Sequence, residues 1–227
     1  IKTLPLFKST SIFTTCVSFL NVFSIPLAQK SQTIPFTFTT ACNSITTYPS
    51  TTDFTNNPPT VCWDEAGDGE VAAGPSGLGT SDWRANRAYQ DAGANVINSN
   101  AINLWQNVDR EWLLSPTFTI PSGMDYALKV QVAVTDWNGT GTSTAGDTMG
   151  SDDEVQLLMT LDNGATWSTL ETWNVGNQPS VNGTDFVADL TGITGDVQFA
   201  FWGSDGTVEY LNNNGIKFNH SVENLGL

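Results

Sequence analysis

The sequence predicts an all-β protein, an antiparallel jelly-roll β-sandwich with long loops, preceded by a signal segment. Three observations predict it. Helix signals are nearly absent: Thr, Asn, Gly and Asp are plentiful, while Lys, Glu and Leu are sparse. Several short runs alternate apolar and polar residues, the mark of a strand with one buried face. Between the runs lie Gly/Asn/Asp-rich stretches at 64–82, 89–103, 136–153 and 174–184, the punctuation of an antiparallel sandwich.

Taken in order, residues 1–28 read as an export signal. Lys2 and Lys8 form its basic start, residues 11–27 its apolar stretch, and Ala28 its cleavage point, with retention as an uncleaved anchor as the competing reading. Residues 29–227 then form a single domain, with no internal repeat and no linker across 36–227. Export exposes Cys42 and Cys62 to an oxidising compartment, so a 42–62 disulfide is expected, with two unpaired buried thiols as the competing reading. "FTFTTACN" reads as the first strand and "EWLLSPTFTI" as a strand broken at Pro116, as at an edge or bend. In "YALKVQVAV", Tyr126, Leu128, Val130, Val132 and Val134 share one face. "VQLLMTL" repeats this with Val155, Leu157, Met159 and Leu161 inward, and "VQFAFW" with Val197, Phe199 and Phe201. "TDFVADL" and "GIKFNHSV" supply the last two strands.

Charged residues make up 14% of the chain and the formal net charge is −15. Such a surface repels nucleic acid and anionic membranes and suits divalent cations or neutral partners such as sugars.

"TLDNGATW", residues 160–167, resembles the Asp box of sialidases and other secreted β-proteins. Each of its residues has a structural task. Gly164 accepts positive φ, Asp162 accepts bonds from the turn's own amides, and Trp167 folds over as an apolar lid. The chain is too short for a sialidase propeller and holds only Arg84, Arg87 and Arg110 for an arginine cluster. The motif is therefore read as a turn.

Four stretches carry a wider resemblance: "TVCWDEAGDGE", "DREWLLSPTFTI", "GSDDEVQLLMTLDNGATW" and "VQFAFWGSDGTV". In this order they resemble MAM-like jelly-roll modules of secreted bacterial surface proteins, of the cleaved-adhesin or choice-of-anchor J type. The resemblance covers residues 36–222. It implies a sandwich that binds glycans or proteins, sometimes steadied by calcium, and usually part of a larger surface protein. The first strand lacks the family's glutamate, showing Thr39 and Thr40, and the last shows Asn219 and His220 where such modules carry carboxylates.

Calcium wants six to eight oxygens on a flexible loop. The acidic stretches 64–70 and 136–154 offer them, with Asp152, Asp153, Asp147 and Asp68 as the expected ligands. The competing reading is two solvated acidic loops. A glycosidase needs two facing carboxylates, and Glu111 and Glu171 are the best candidates; acids of this kind more commonly face solvent or pair with arginine. A serine hydrolase would need His220 as base and a Gly-x-Ser-x-Gly elbow that the sequence lacks. Sugar recognition uses aromatic rings with Asp, Asn and Arg around them. Trp83, Tyr89, Trp105, Trp137 and Trp173 lie in or beside loops, and Trp137 stands between Asp136 and Asn138. For each such ring, core packing is the alternative. Asn138, Asn182 and Asn219 also begin N-glycosylation acceptor triplets.

The expected function is non-catalytic: a secreted or cell-surface adhesion module that recognises a glycan or a host or matrix surface through loops at one end. Its expected ligand residues are Trp137, Asp136, Asn138, Trp83 and Trp105. The alternatives are an accessory carbohydrate-binding domain of a larger hydrolase and a calcium-steadied structural module.

Overall fold

A computed structural model of the chain describes residues 42–56, 62–105, 110–137 and 141–207, together with the backbone of Asn214–Asn224. These fall in one compact unit, Ala41–Leu227. The signal segment, the "FTFTT" run and Asn138 lie outside the described residues, as do the side chains of Asn219 and His220.

Among the described residues, thirteen strands form two sheets: β1 (Ser50–Thr52), β2 (Asp64–Asp68), β3 (Ser76–Leu78), β4 (Arg84–Gln90), β5 (Val96–Leu104), β6 (Glu111–Ile120), β7 (Tyr126–Asp136), β8 (Gly141–Ser143), β9 (Glu154–Thr160), β10 (Ser168–Asn174), β11 (Thr184–Asp189), β12 (Gly195–Ser204) and β13 (Asn214–Asn224). The seven-stranded sheet has the order β11-β7-β13-β5-β4-β8, with β1 also paired to β13. The six-stranded sheet has the order β10-β9-β12-β6-β2-β3. Pairing between strands is antiparallel except between β4 and β8. This is the all-β sandwich that the alternation predicts.

The core lies between the sheets. Leu128, Val130, Val132 and Val134 of β7 face Val197, Phe199 and Phe201 of β12 and Val155 and Leu157 of β9 in one buried cluster. Met159 packs at its margin. Leu161, expected inward, is 55% exposed because β9 ends at Thr160 and the hairpin turn carries Leu161 out.

Pro116 does not break its strand. β6 runs through it as an interior strand, between β12 and β2. Gln198 pairs with Thr117 and Ala200 with Leu114, so Ser115 and Pro116 together oppose Phe199. This is a bulge, and it removes the need for a proline N–H in the ladder. The Ser115 hydroxyl accepts the Phe199 N–H at 2.9 Å, and the Gln198 amide donates to the Ser115 carbonyl at 2.7 Å. The extra residue also inverts the facing. Leu113 points inward before the bulge, Phe118 and Ile120 after it.

The stretches 64–82 and 89–103, expected as loops, hold β2, β3 and parts of β4 and β5. The β4–β5 hairpin hides its strands behind polar residues. Ser99 and Asn100 are buried, the Ser99 hydroxyl donating to the Arg87 carbonyl and the Asn100 side-chain oxygen accepting the Ala101 N–H.

The 160–167 turn is built as its residues predict. Asn163 and Gly164 take φ of 57° and 84°. Asp162 accepts the Thr166 hydroxyl at 2.6 Å, the Thr166 N–H at 2.9 Å and the Thr160 hydroxyl at 2.7 Å. These bonds, the Thr166 hydroxyl first, hold its carboxyl down at about 2 against an ordinary 3.8. The folded value is depressed, so the contribution is full above the ordinary value and lost as pH falls through about 2. Thr166→Val is expected to lower the melting temperature at about pH 5, with the difference from wild type closing as pH approaches 2. A difference constant across that range would show that the carboxylate has no such role.

Candidate functional site

Strand register brings the loops of one end together. Leu104 and Asp136 both pair with Asn214 of β13. Strands β5 and β7 are both antiparallel to β13, so Trp105 and Trp137 leave the sheet at the same end. They flank β13 at two strand spacings, about 10 Å. The other sheet closes on this end at Gly203, where an added Cβ would stand 2.9 Å from Ile102 Cδ1. Gly203 pairs with Glu111 and Val155, which brings Arg110, Asp153 and Asp205 to the same end.

Side-chain chemistry concentrates there. Period two turns Ile102, Leu104 and Val134 into the core, so Asn103, Trp105 and Trp137 continue the outer face. Trp105 and Trp137 are half-buried. The Arg87 guanidinium of β4 lies 5.2 Å from the Trp137 ring centre, a cation–π contact. Among the described residues, four buried polar atoms at this end have no hydrogen-bond partner: Arg87 Nε, Trp105 Nε1, Asn103 Oδ1 and Asp136 Oδ1. Buried polar groups are normally paired, so two donors and two acceptors left over at one end call for an explanation. Burial, and after it neighbouring Arg84, lower the Arg87 pKa from its ordinary value.

Of the expected ligand residues, Trp137, Asp136 and Trp105 lie at this end. Trp83 does not serve as a surface ring. It has no exposed area and packs in the core, 6.3 Å from Phe201. Trp173 is a core residue as well, and Tyr89 is buried on the outer face of its sheet, under Gly183. Tyr89 hydrogen-bonds Gln131, and Trp173 meets Phe186 edge-on at 5.8 Å. All three adjoin loops in the chain, yet Trp83 and Trp173 pack inward and Tyr89 is covered where it stands on the outer face.

The four expected calcium ligands are not brought together. Asp153 is buried and caps its own turn, accepting the Gly150 N–H at 2.7 Å. Asp152 accepts the Thr207 N–H at 2.7 Å, Asp147 the Thr148 N–H at 2.8 Å, and Asp68 the Gly69 N–H at 2.7 Å. Asp68 sits on β2, three strands from β9 and so about 14 Å away. Among the described residues, no three His, Cys, Asp or Glu groups converge. Chelation by excess EDTA is therefore expected to leave the melting temperature where it stands in calcium; a fall of several degrees would locate a cation site that these side chains do not form.

Glu111 and Glu171 are likewise apart. β6 and β10 are separated by β12 and β9, about 14 Å, against the roughly 5–9.5 Å of a glycosidase pair. Glu111 is buried and accepts the Asp82 N–H at 3.0 Å. The expected disulfide is present: Cys42 is bonded to Cys62, their Cα atoms 5.4 Å apart.

A second aromatic group lies away from Trp105 and Trp137, on the other sheet. On the outer face of the six-stranded sheet, Trp112, Leu114, Leu158, Ala200 and Trp202 form a separate buried cluster, with Trp167 and Val71 against it. The 69–75 loop roofs it. The indole N–H groups of Trp112 and Trp202 both donate to the Gly69 carbonyl, at 2.8 and 3.0 Å, and Arg110 pairs with Glu70. Trp167, the lid of the 160–167 turn, packs tilted against Trp112, ring centres 5.5 Å apart. The signal was the apolar parity of 112, 114, 200 and 202, opposite to that of the core face. Gly69 has φ +118°, and a Cβ there would stand 2.2 Å from the Gly74 carbonyl oxygen. Gly69→Ala is expected to cost about 1–3 kcal/mol and to red-shift tryptophan emission as the roof lifts; unchanged emission would contradict the roof.

Comparison with known proteins gives distant likenesses. The K1 cleaved adhesin domain of Lys-gingipain from Porphyromonas gingivalis W83 is 14% identical with a TM-score of 0.46, over 74% of this chain and 93% of that one. TmCBM61 in complex with β-1,4-galactotriose is 8% identical with a TM-score of 0.40, over 72% and 89%. The xylan-binding module CBM15 is 11% identical with a TM-score of 0.38, over 78% and 95%. No family model matches the chain, and no curated protein matches it.

Proposed function

We propose that the protein is an exported, non-catalytic surface module that recognises a glycan with the end of the sandwich holding Trp105, Trp137 and Arg87. One observation carries this reading: unpartnered buried donors and acceptors gather beside two half-buried indoles at a single end. A sugar supplies the matching chemistry. Its hydroxyls donate and accept, and its ring C–H face stacks on indole. Rigid strand ends hold these groups, which limits the entropy lost on binding. Glu111, Asp153 and Asp152 accept backbone N–H bonds, a positioning role rather than a proton-transfer one.

The test is a glycan and polysaccharide array probed with the full chain and with Trp137→Ala. Saturable binding that the variant loses supports the reading. No binding to any sugar overturns it and moves the function to protein adhesion or assembly.

A further inference from the structure

We propose that Arg87 reads a carboxylate, so that the glycan bound at this end carries a uronic acid or another carboxylated sugar. The inference rests on the glycan-binding reading and names its ligand class.

The three arginines of the chain differ in how their charge is met. Arg84 pairs with Asp82 at 2.5 Å, and Arg110 pairs with Glu70. Arg87 has no carboxylate within ion-pair distance among the described residues, although the chain has 23 acidic residues and a net charge of −15. A half-buried guanidinium in so acidic a protein would find a partner at little cost. Instead it lies over Trp137, and its Nε–H has no acceptor.

A guanidinium held by a ring on its face can still bind a carboxylate through paired N–H groups on its edge. Trp137 then has two roles: it holds Arg87 and offers ring surface beside it. Asn103, on the same outer face as Trp105 and Trp137, adds an acceptor for a hydroxyl. The global charge sets a limit. A densely charged polyanion is repelled by a surface of net −15, so the favoured glycan is mainly neutral, with isolated carboxylates.

The experiment uses a panel of oligosaccharides that each carry one uronic acid, every member paired with its carboxyl-reduced form. Reduction replaces the carboxylate with a hydroxymethyl group and leaves the rest of the sugar. Wild type, Arg87→Gln and Arg87→Lys are titrated by calorimetry, and circular dichroism checks that each is folded. Wild type is expected to bind the acidic member roughly 10- to 100-fold more tightly than its reduced partner. Arg87→Gln abolishes that ratio, and Arg87→Lys, which keeps the charge but loses the paired bonds, restores only part of it. The wild-type comparison needs no variant, so a misfolded Arg87→Gln leaves the test intact. Equal binding of acidic and reduced sugars by wild type overturns the inference while the glycan reading stands. Absence of binding to every sugar in the panel and the array overturns both.

Discussion

Trp83→Ala is expected to destabilise the fold by about 3–5 kcal/mol, whereas Trp137→Ala leaves stability within about 1 kcal/mol of wild type and removes ligand binding. The two residues look alike in sequence, each an aromatic beside a polar, turn-rich stretch. Their surroundings differ. Trp83 is fully buried, with Phe201 of the opposite sheet against it and its backbone N–H donating to the Ser81 hydroxyl at 3.1 Å. Truncating it opens a cavity between the sheets that β-strands cannot close. Trp137 lies past the end of β7, half-buried, with Arg87 as its ring partner. Urea denaturation of both variants measures the difference. A Trp83→Ala protein as stable as wild type would show that this ring is not part of the core.

Replacing Cys42 and Cys62 together by serine is expected to cost roughly 3 kcal/mol in the chain-entropy model, for a sequence separation of 20. The bridge closes a segment that docks on the sandwich through β1, paired with β13, and through a few further contacts. Ile45 exchanges two backbone hydrogen bonds with β6, to Thr117 at 2.8 Å and from Thr119 at 2.9 Å. The Tyr48 hydroxyl donates to the Thr119 carbonyl at 2.9 Å, and Phe54 packs against Trp63 at 5.4 Å. Without the bridge these contacts must order the whole loop unaided. Thermal unfolding of the double-serine variant, compared with wild type before and after reduction, checks it. Reduced wild type should match the variant; no change in either would mean that the loop contacts suffice.

Much of the fold was legible where physics writes it locally. Strands β7, β9 and β12 alternate so plainly that their inward faces follow from residue type alone. The 160–167 turn was equally plain, because Asp162, Gly164 and Thr166 satisfy one another within a few residues. Strand β5 was hidden because it buries Ser99 and Asn100, whose polarity is met by backbone groups that only folding supplies. The parity change at Ser115–Pro116 was hidden for a similar reason, since a bulge is a relation to the opposite strand. In the site, Trp137 stood out beside Asp136. Arg87 did not, because its contact with Trp137 spans 50 residues of chain and depends on how β4 is placed. Position next to a loop misled for Trp83, Tyr89 and Trp173, since a residue's facing is set by its strand.

The most direct measurement is the indole N–H region of the NMR spectrum, recorded while the full chain is titrated with the tightest oligosaccharide from the array. The eight tryptophans give separable signals that single substitutions assign. The account predicts that the Trp137 and Trp105 signals move in step with binding, while Trp83, Trp112 and Trp202 stay in place. Movement of Trp112 and Trp202 with Trp137 and Trp105 unmoved would contradict it, and would transfer the binding surface to the roofed face of the six-stranded sheet.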